Sequence, residues 1–291
     1  MSNLLDLVGN TPLVELTRLH DNPNVKIFGK LEGDNPGGSV KDRAAKSMIQ
    51  GALERGEIKA GTKLIEATSG NTGIALAMIA RLYGIEIELA MPSNSTKERV
   101  LTMEAFGAKV TLTETIESAR DYAVEKSKSG KYILLNQFEN PDNYLAHYRT
   151  TGPEIYRDTQ GKITHFVSSM GTTGTIMGTS MYLKEQNPDI QIVGCQPTEG
   201  SKIPGIRRWP IEYRPKIYDP SRVDRIMDVS EQDAIEMTRK LAKVEGVFGG
   251  MSSGGGISAS IRLANELEEG LIVCIICDRG DRYLSSGLFG D

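Results

Sequence analysis

The chain has 291 residues, 39% hydrophobic and 25% charged, which is ample material for a core and suits two packed lobes better than one small domain. Its 34 Lys and Arg against 38 Asp and Glu give a formal net charge of −4, a balance that argues against a nucleic-acid-binding surface. No apolar run approaches the roughly 20 residues that span a bilayer, and Met1-Ser2-Asn3-Leu4-Leu5-Asp6 lacks the basic and apolar regions of a signal peptide, so neither a membrane nor secretion is expected.

Short apolar runs alternate with longer amphipathic ones along the chain. Strands are expected at 25–31, 63–67, 85–90, 109–112, 132–135, 165–168, 190–194, 225–229 and 271–277. Helical patterns fall between most of them, at 40–54, 72–82, 96–106, 119–127, 176–185, 231–244 and 257–268. This alternation reads as an α/β fold with mostly parallel, helix-covered sheets. Ser95-Thr96-Lys97-Glu98 has the spacing of a capping box, and Gly84, Gly107, Gly130 and Gly246 stand where helices should stop. The stretch 197–220 is long and proline-rich and reads as an irregular functional loop.

Cys195, Cys274 and Cys277 are too sparse for a disulfide scaffold and favour a reducing, cytoplasmic setting. Cys274 and Cys277 match C-x-x-C, but they fall in an apolar strand, where residues three apart point to opposite faces. His20, His147 and His165 have no metal-ligand spacing, and no metal is expected.

Two glycine-rich turns lead from strands into helices. The first is Thr68-Ser69-Gly70-Asn71-Thr72-Gly73 and the second is Gly171-Thr172-Thr173-Gly174-Thr175. Such an entrance offers free backbone amides and the positive end of a helix dipole to an anion. One such turn alone is as well read as a plain tight connection; two, with this density of hydroxyls, favour anion sites. Neither matches the dinucleotide fingerprint or the P-loop, which disfavours nicotinamide or ATP chemistry.

Lys41 follows Asn35-Pro36-Gly37-Gly38-Ser39-Val40 and precedes Asp42-Arg43. Lysines are usually solvated. Here, however, Pro36-Gly37-Gly38 forces a turn, Ser39 is a good N-cap, and Lys41 falls in the first helical turn, where the dipole disfavours a cation. That field should lower its pKa and favour the nucleophilic amine. Asp42 and Arg43 are expected to pair with structural groups. A lysine with two anion-cradling turns suits an aldehyde cofactor with a phosphate tail and a carboxylate substrate, and pyridoxal 5'-phosphate is the leading reading. Arg207 and Arg208 offer guanidinium forks that suit a dianionic ligand; anchoring the long loop to nearby acids is an equal alternative.

These runs, from Gly9-Asn10-Thr11-Pro12-Leu13 to Gly280-Asp281-Arg282-Tyr283-Leu284-Ser285, resemble the pyridoxal-phosphate enzymes of the cysteine synthase and cystathionine β-synthase family. Ile203-Pro204-Gly205-Ile206-Arg207-Arg208-Trp209-Pro210 and Ile275-Ile276-Cys277-Asp278-Arg279-Gly280-Asp281-Arg282-Tyr283 are similar to the O-acetylserine sulfhydrylase branch that also accepts thiosulfate. The resemblance implies a two-domain fold-type II enzyme. Residues 36–144 would form a smaller mobile domain, and residues 1–35 plus 145–291 a larger one.

By the same resemblance Lys41 would be the catalytic residue, holding the cofactor as a Schiff base. Asn71 would contact the ring oxygen, and Gly171, Thr172, Thr173, Gly174 and Thr175 would hold the phosphate. Ser252 would touch the cofactor, and Cys277 would face the pyridine nitrogen, where related isozymes place serine. Thr68, Ser69, Thr72 and Gln137 would bind the substrate carboxylate. The implied reaction is β-replacement on O-acetylserine by sulfide, giving cysteine and acetate, or by thiosulfate, giving S-sulfocysteine, in a homodimer. A serine/threonine dehydratase or cystathionine β-synthase is the alternative within the family, disfavoured because no regulatory extension follows residue 291 and no haem-binding segment is seen. An idle scaffold that captures a partner's C-terminal tail in the carboxylate pocket is the alternative outside it. Two departures stand out. Gly249 occupies a place where relatives can carry cysteine, and the chain ends at Asp291, slightly short of typical relatives.

Overall fold

The computed structural model describes residues 3–68 and 70–290. In chain order its strands and helices are β1 (Leu13–Glu15), β2 (Val25–Leu31), α1 (Lys41–Glu54), β3 (Lys63–Ala67), α2 (Asn71–Leu82), β4 (Glu86–Pro92), α3 (Lys97–Ala105), β5 (Lys109–Thr113), α4 (Ile116–Ser127) and β6 (Ile133–Leu134). They continue with α5 (Pro141–Arg149), α6 (Thr151–Asp158), β7 (His165–Ser169), α7 (Gly174–Gln186), β8 (Gln191–Pro197), β9 (Arg225–Val229), α8 (Glu231–Lys240), α9 (Met251–Glu266) and β10 (Gly270–Ile276).

The strands form two sheets. A four-stranded sheet runs β5-β4-β3-β6 and is parallel throughout. A six-stranded sheet runs β1-β2-β10-β7-β8-β9 and is parallel except where β1 pairs antiparallel with β2. Parallel strands need covered faces, and both sheets have them. On the smaller sheet, Leu64, Ile87 and Leu89 pack with Met48 and Ile49 of α1 and Ile74 of α2, while Ile65 and Ala90 pack with Ala119 and Ala123 of α4. On the larger, Ile272, Cys274 and Ile276 turn toward Ile257 and Leu263 of α9, and Val273 and Ile275 toward Ile176 and Leu183 of α7. The period of two along β10 thus separates Cys274 from Cys277, which packs with the α7 layer. Among the described residues no helix is long and apolar enough to cross a membrane.

Several elements depart from the expectations. Helices α5 and α6 were not anticipated between 135 and 165, although Asn140 caps α5 through a bond from the Asp142 amide (3.0 Å) and Pro141 stands at its first position. Their buried faces carry Asp142, Asn143, His147, Thr151 and Glu154, so no apolar stripe advertises them. Helix α9 begins at Met251 rather than 257 because the Gly254-Gly255-Gly256 run, poor in helix propensity, lets α8 close in: a Cβ on Gly254 would strike the Thr238 hydroxyl and the Ala234 carbonyl. The helix expected over 231–244 is α-helical only to Lys240 and widens to a π turn over Leu241–Glu245.

The capping box at Ser95 is not formed. Glu98 is drawn away by the amide and hydroxyl of Ser285 (2.8 and 2.6 Å), and Thr96 is the residue before α3. The four stop glycines do adopt left-handed backbone, with φ of +64° to +84°.

Candidate active site

The site lies where the carboxyl ends of both sheets' strands face each other, the usual location in open parallel sheets. Lys41 opens α1 directly after the turn that leaves β2. Ser39 Oγ accepts the Lys41 amide (3.3 Å), and the Val40 amide donates to the Cys277 carbonyl (2.8 Å), tying the start of α1 to the end of β10. Asp42 accepts the Gly37 amide, and burial raises its carboxyl to about 7.

Arg43 faces the other way into a buried cluster. Its guanidinium bonds Glu32 (2.6 and 2.8 Å) and Glu154 (2.7 Å twice), and Lys30 bonds Glu154 from the far side (2.9 Å). Asp42 and Arg43 therefore pair structurally, as expected. The Lys41 amine has no hydrogen-bond or ion-pair partner among the described residues. Its pKa is lowered, as anticipated from the helix field, but the leading cause is burial, opposed by Cys277 and Asp278.

The first turn is stapled by buried Thr68, whose hydroxyl accepts the amides of Gly70 (3.0 Å) and Gly73 (3.1 Å). Thr68 is thus a support of the turn rather than part of the cavity wall, and Ser69 lies outside the described residues. The amides of Asn71 and Thr72 donate no hydrogen bond among the described residues. The Thr72 hydroxyl donates to Gln137 Oε1 (2.7 Å), and Gln137 Nε2 donates to the Ala67 carbonyl (2.6 Å). Asn71 is clamped at both ends, its Nδ2 donating to Asp278 (2.6 Å) and its Oδ1 accepting from Arg282 (2.7 Å).

In the second turn the amides of all five residues, Gly171 to Thr175, donate no hydrogen bond among the described residues. Thr173 bends the chain into α7 with left-handed backbone (φ +71°). Asn143 donates to the Thr172 hydroxyl (3.2 Å), and His147 Nε2 lies 3.3 Å from that of Thr175. Burial, with Arg43 and Lys41, holds His147 well below the ordinary histidine range, so its ring is neutral. The long loop roofs this turn: Trp209 Nε1 donates to the Gly171 carbonyl (2.7 Å), and a Cβ on Gly171 would come within 2.5 Å of the Gly205 carbonyl.

Lys41, Asn71, Thr72, Gln137, Gly171, Thr172, Thr175, Arg207, Ser252 and Cys277 line one cavity. Thr173 and Gly174 belong to the turn but do not line it. Burial and Asp278 push the Cys277 thiol up to about 12, so it is neutral. The two arginines part company. Arg207 reaches the cavity, its Nη1 donating to the Ile206 carbonyl (2.8 Å), whereas Arg208 pairs with Asp228 (2.6 Å) and the Pro197 carbonyl (3.0 Å), anchoring the loop outside it. Asn143, His147, Asp278, Arg282 and Trp209 support the site without having been singled out. The capped start of α5 was the available signal for the first two.

Residues 4–278 match the family described as pyridoxal-phosphate dependent enzyme. The chain is 59% identical to cysteine synthase B of Pseudomonas aeruginosa, covering 98% of this chain and 97% of that protein, and 56% identical to cysteine synthase B of Escherichia coli, covering 100% and 97%. This chain belongs to the cysteine synthase family of pyridoxal-phosphate dependent enzymes. Among solved structures, cysteine synthase from Entamoeba histolytica superposes with a TM-score of 0.92 at 39% identity, covering 99% of this chain and 90% of that one. An O-ureido-L-serine synthase superposes with 0.93 at 33% identity, covering 99% and 95%. The fold is thus the fold-type II arrangement of this family, and pyridoxal phosphate is its cofactor. The residues present fit that group. The five amides of the 171–175 turn donate no hydrogen bond among the described residues and stand at a helix start, which suits a phosphate, and an unpartnered, deeply placed amine stands in the cavity that Gly171, Thr172 and Thr175 line.

Proposed function

We propose that the enzyme catalyses β-replacement, converting O-acetylserine and sulfide to cysteine and acetate. The observation that carries this reading is the convergence of the buried Lys41 amine with both glycine turns in one cavity. In it the 171–175 amides would hold the cofactor phosphate, Asn71 would contact the ring oxygen, Cys277 would face the ring nitrogen and Ser252 would touch the cofactor. The Asn71 and Thr72 amides, the Thr72 hydroxyl and Gln137 hold the substrate carboxylate, together with Thr68 and Ser69 as parts of the turn.

Bound pyridoxal phosphate supplies an electron sink for the charge that develops as the α-proton leaves. Lys41 Nζ takes that proton as general base, acetate departs with the Cβ–O electron pair, hydrosulfide forms the Cβ–S bond, and Lys41 returns the proton to Cα. Burial suits Lys41 to this exchange because it keeps the amine from being a permanent ammonium. A neutral Cys277 thiol cannot give the ring nitrogen the full positive charge a carboxylate would sustain, which suits elimination over transamination.

Arg207 would attract thiosulfate as a second donor, yielding S-sulfocysteine; its position on the cavity wall without a carboxylate partner among the described residues supports this role. Arg208 contributes indirectly by fixing the loop. Residues 36–144, with the first turn, close on the rest of the chain when the carboxylate binds, excluding water. The working unit is a homodimer. Holoenzyme given O-acetylserine and sulfide should release cysteine and acetate in equal amounts. Faster turnover of serine with homocysteine, or dehydration of serine or threonine, would overturn the reading.

A further inference from the structure

Glu66 takes no part in the chemistry above, yet its side chain is buried on β3, one residue before that strand's end, against the backbone of Asn136 and Gln137. Its Oε2 accepts the Asn136 amide (2.9 Å) and its Oε1 the Gln137 amide (3.4 Å). Two consecutive amides can converge on one carboxylate because Asn136 adopts left-handed backbone (φ +56°), which residues other than glycine seldom do.

The sheet cannot supply this placement. Strand β6 pairs with β3 only at Leu64↔Ile133 and Ile65↔Leu134, and the next rung is missing. The side chain of Glu66 stands in for it. Beyond the bend, the Asn136 carbonyl accepts the amides of Glu139 (3.0 Å) and Asn140 (2.9 Å), and Asn143 holds the Gln137 carbonyl (2.7 Å).

We propose that Glu66 is a positioning residue for substrate: by gripping two successive amides it sets the 136–137 bend, and so places the Gln137 side chain against Thr72 for carboxylate binding without touching substrate itself. The inference rests on the proposed role of Gln137 in the carboxylate site.

Glu66→Gln keeps the shape but turns a side-chain amide NH2 donor toward one of the two backbone donors, leaving one buried backbone amide unpaired. Burial raises the Glu66 carboxyl to about 8, against the pull of the Gln137, Asn136 and Ala67 amides and of Arg120 on α4. The comparison is therefore made near pH 9, where wild type is ionised. L-Serine binding to the holoenzyme, followed through the cofactor's visible absorbance, should weaken about five- to tenfold in Glu66→Gln, with the resting spectrum and cofactor content unchanged. The KM for O-acetylserine should rise by the same factor while kcat stays within about threefold. Adding Glu66→Gln to Gln137→Ala should cost nothing further.

Glu66→Asp, which keeps the charge and shortens the reach, should show the same split if the glutamine variant does not fold. Unchanged serine affinity, or additive losses with Gln137→Ala, overturns the proposal. Wild type that binds serine but makes no cysteine would refute the proposed reaction instead, and leaves the serine titration as the test of Glu66.

Discussion

Replacing Arg43 with Met tests what holds the start of α1, and with it Lys41, in place. The guanidinium makes four short bonds to Glu32 and Glu154, both of whose side chains are almost wholly buried. Lys30 still holds Glu154 in the variant (2.9 Å), but Glu32 keeps only its bonds from the Thr11 hydroxyl and Asn35. Removing one partner of a buried ion pair costs about 3–5 kcal/mol, because the charge left behind is uncompensated. Unfolding entropy of about 2 cal/mol/K per residue turns this into a fall of about 5–8 °C in the melting temperature of a chain this long.

The pH dependence of that loss carries a sign. Burial alone would raise the Glu154 carboxyl, but the hydrogen bonds and charge of Arg43 bring it to about 2. A folded pKa below the ordinary 4.5 means stability that is present above 4.5 and lost as pH falls through about 2. Arg43→Met loses this term, so the gap between wild type and variant should narrow from pH 7 toward pH 3. Adding Glu32→Gln should recover part of the loss at pH 7. Thermal melts of the holoenzyme at fixed cofactor concentration read both effects. A shift under about 2 °C at pH 7, or a gap that does not narrow in acid, would refute the reasoning.

Lys41→Ala should lower cysteine formation by at least about 10³-fold and leave no cofactor fixed to the chain by borohydride; label found on another lysine would contradict the assignment. Cys277→Ser keeps a neutral donor, so activity should stay within about tenfold; because the wild-type thiol is pushed up to about 12, a limb of the pH–rate profile below about pH 10 that disappears in the serine variant would count against it. Gly178→Ala should destabilise the fold by about 1–3 kcal/mol in urea unfolding, since its Cβ would press on the Tyr144 carbonyl and come within 2.8 Å of the Tyr148 amide where α5 crosses α7; a midpoint equal to wild type would show that the helices can part.

Much of the fold was legible because periodicity and turn chemistry are local. The runs that form β2, β3 and β9 are short and interleave apolar with charged residues, and their bounds in the structure are those expected. Both glycine turns announced helix entrances by composition alone. Helices α5 and α6 were hidden because their inward faces are polar, and a buried Asp142 or Glu154 reads as surface until Arg55 or Arg43 is seen beside it. Within the candidate site, the residue types and their order along the chain were visible; which side chains enter the cavity was not. Arg207 and Arg208 are neighbours of the same chemistry, yet one lines the cavity and the other bonds Asp228.

The sequence by itself determined that this chain would build parallel sheets with two amide-rich helix entrances and a lysine at a third, since those features depend on neighbours within a few residues. Only the tertiary structure decided the electrostatics. The depth of burial that lowers the pKa of Lys41, the neutral thiol of Cys277 and the partnered carboxylate of Glu66 arise where the chain brings distant groups together: Lys41 meets Cys277 and Asp278 from the far end of the chain, and the Asn136 amide that Glu66 accepts lies 70 positions on. Desolvation is a property of where a group ends up, and no local stretch of sequence encodes it.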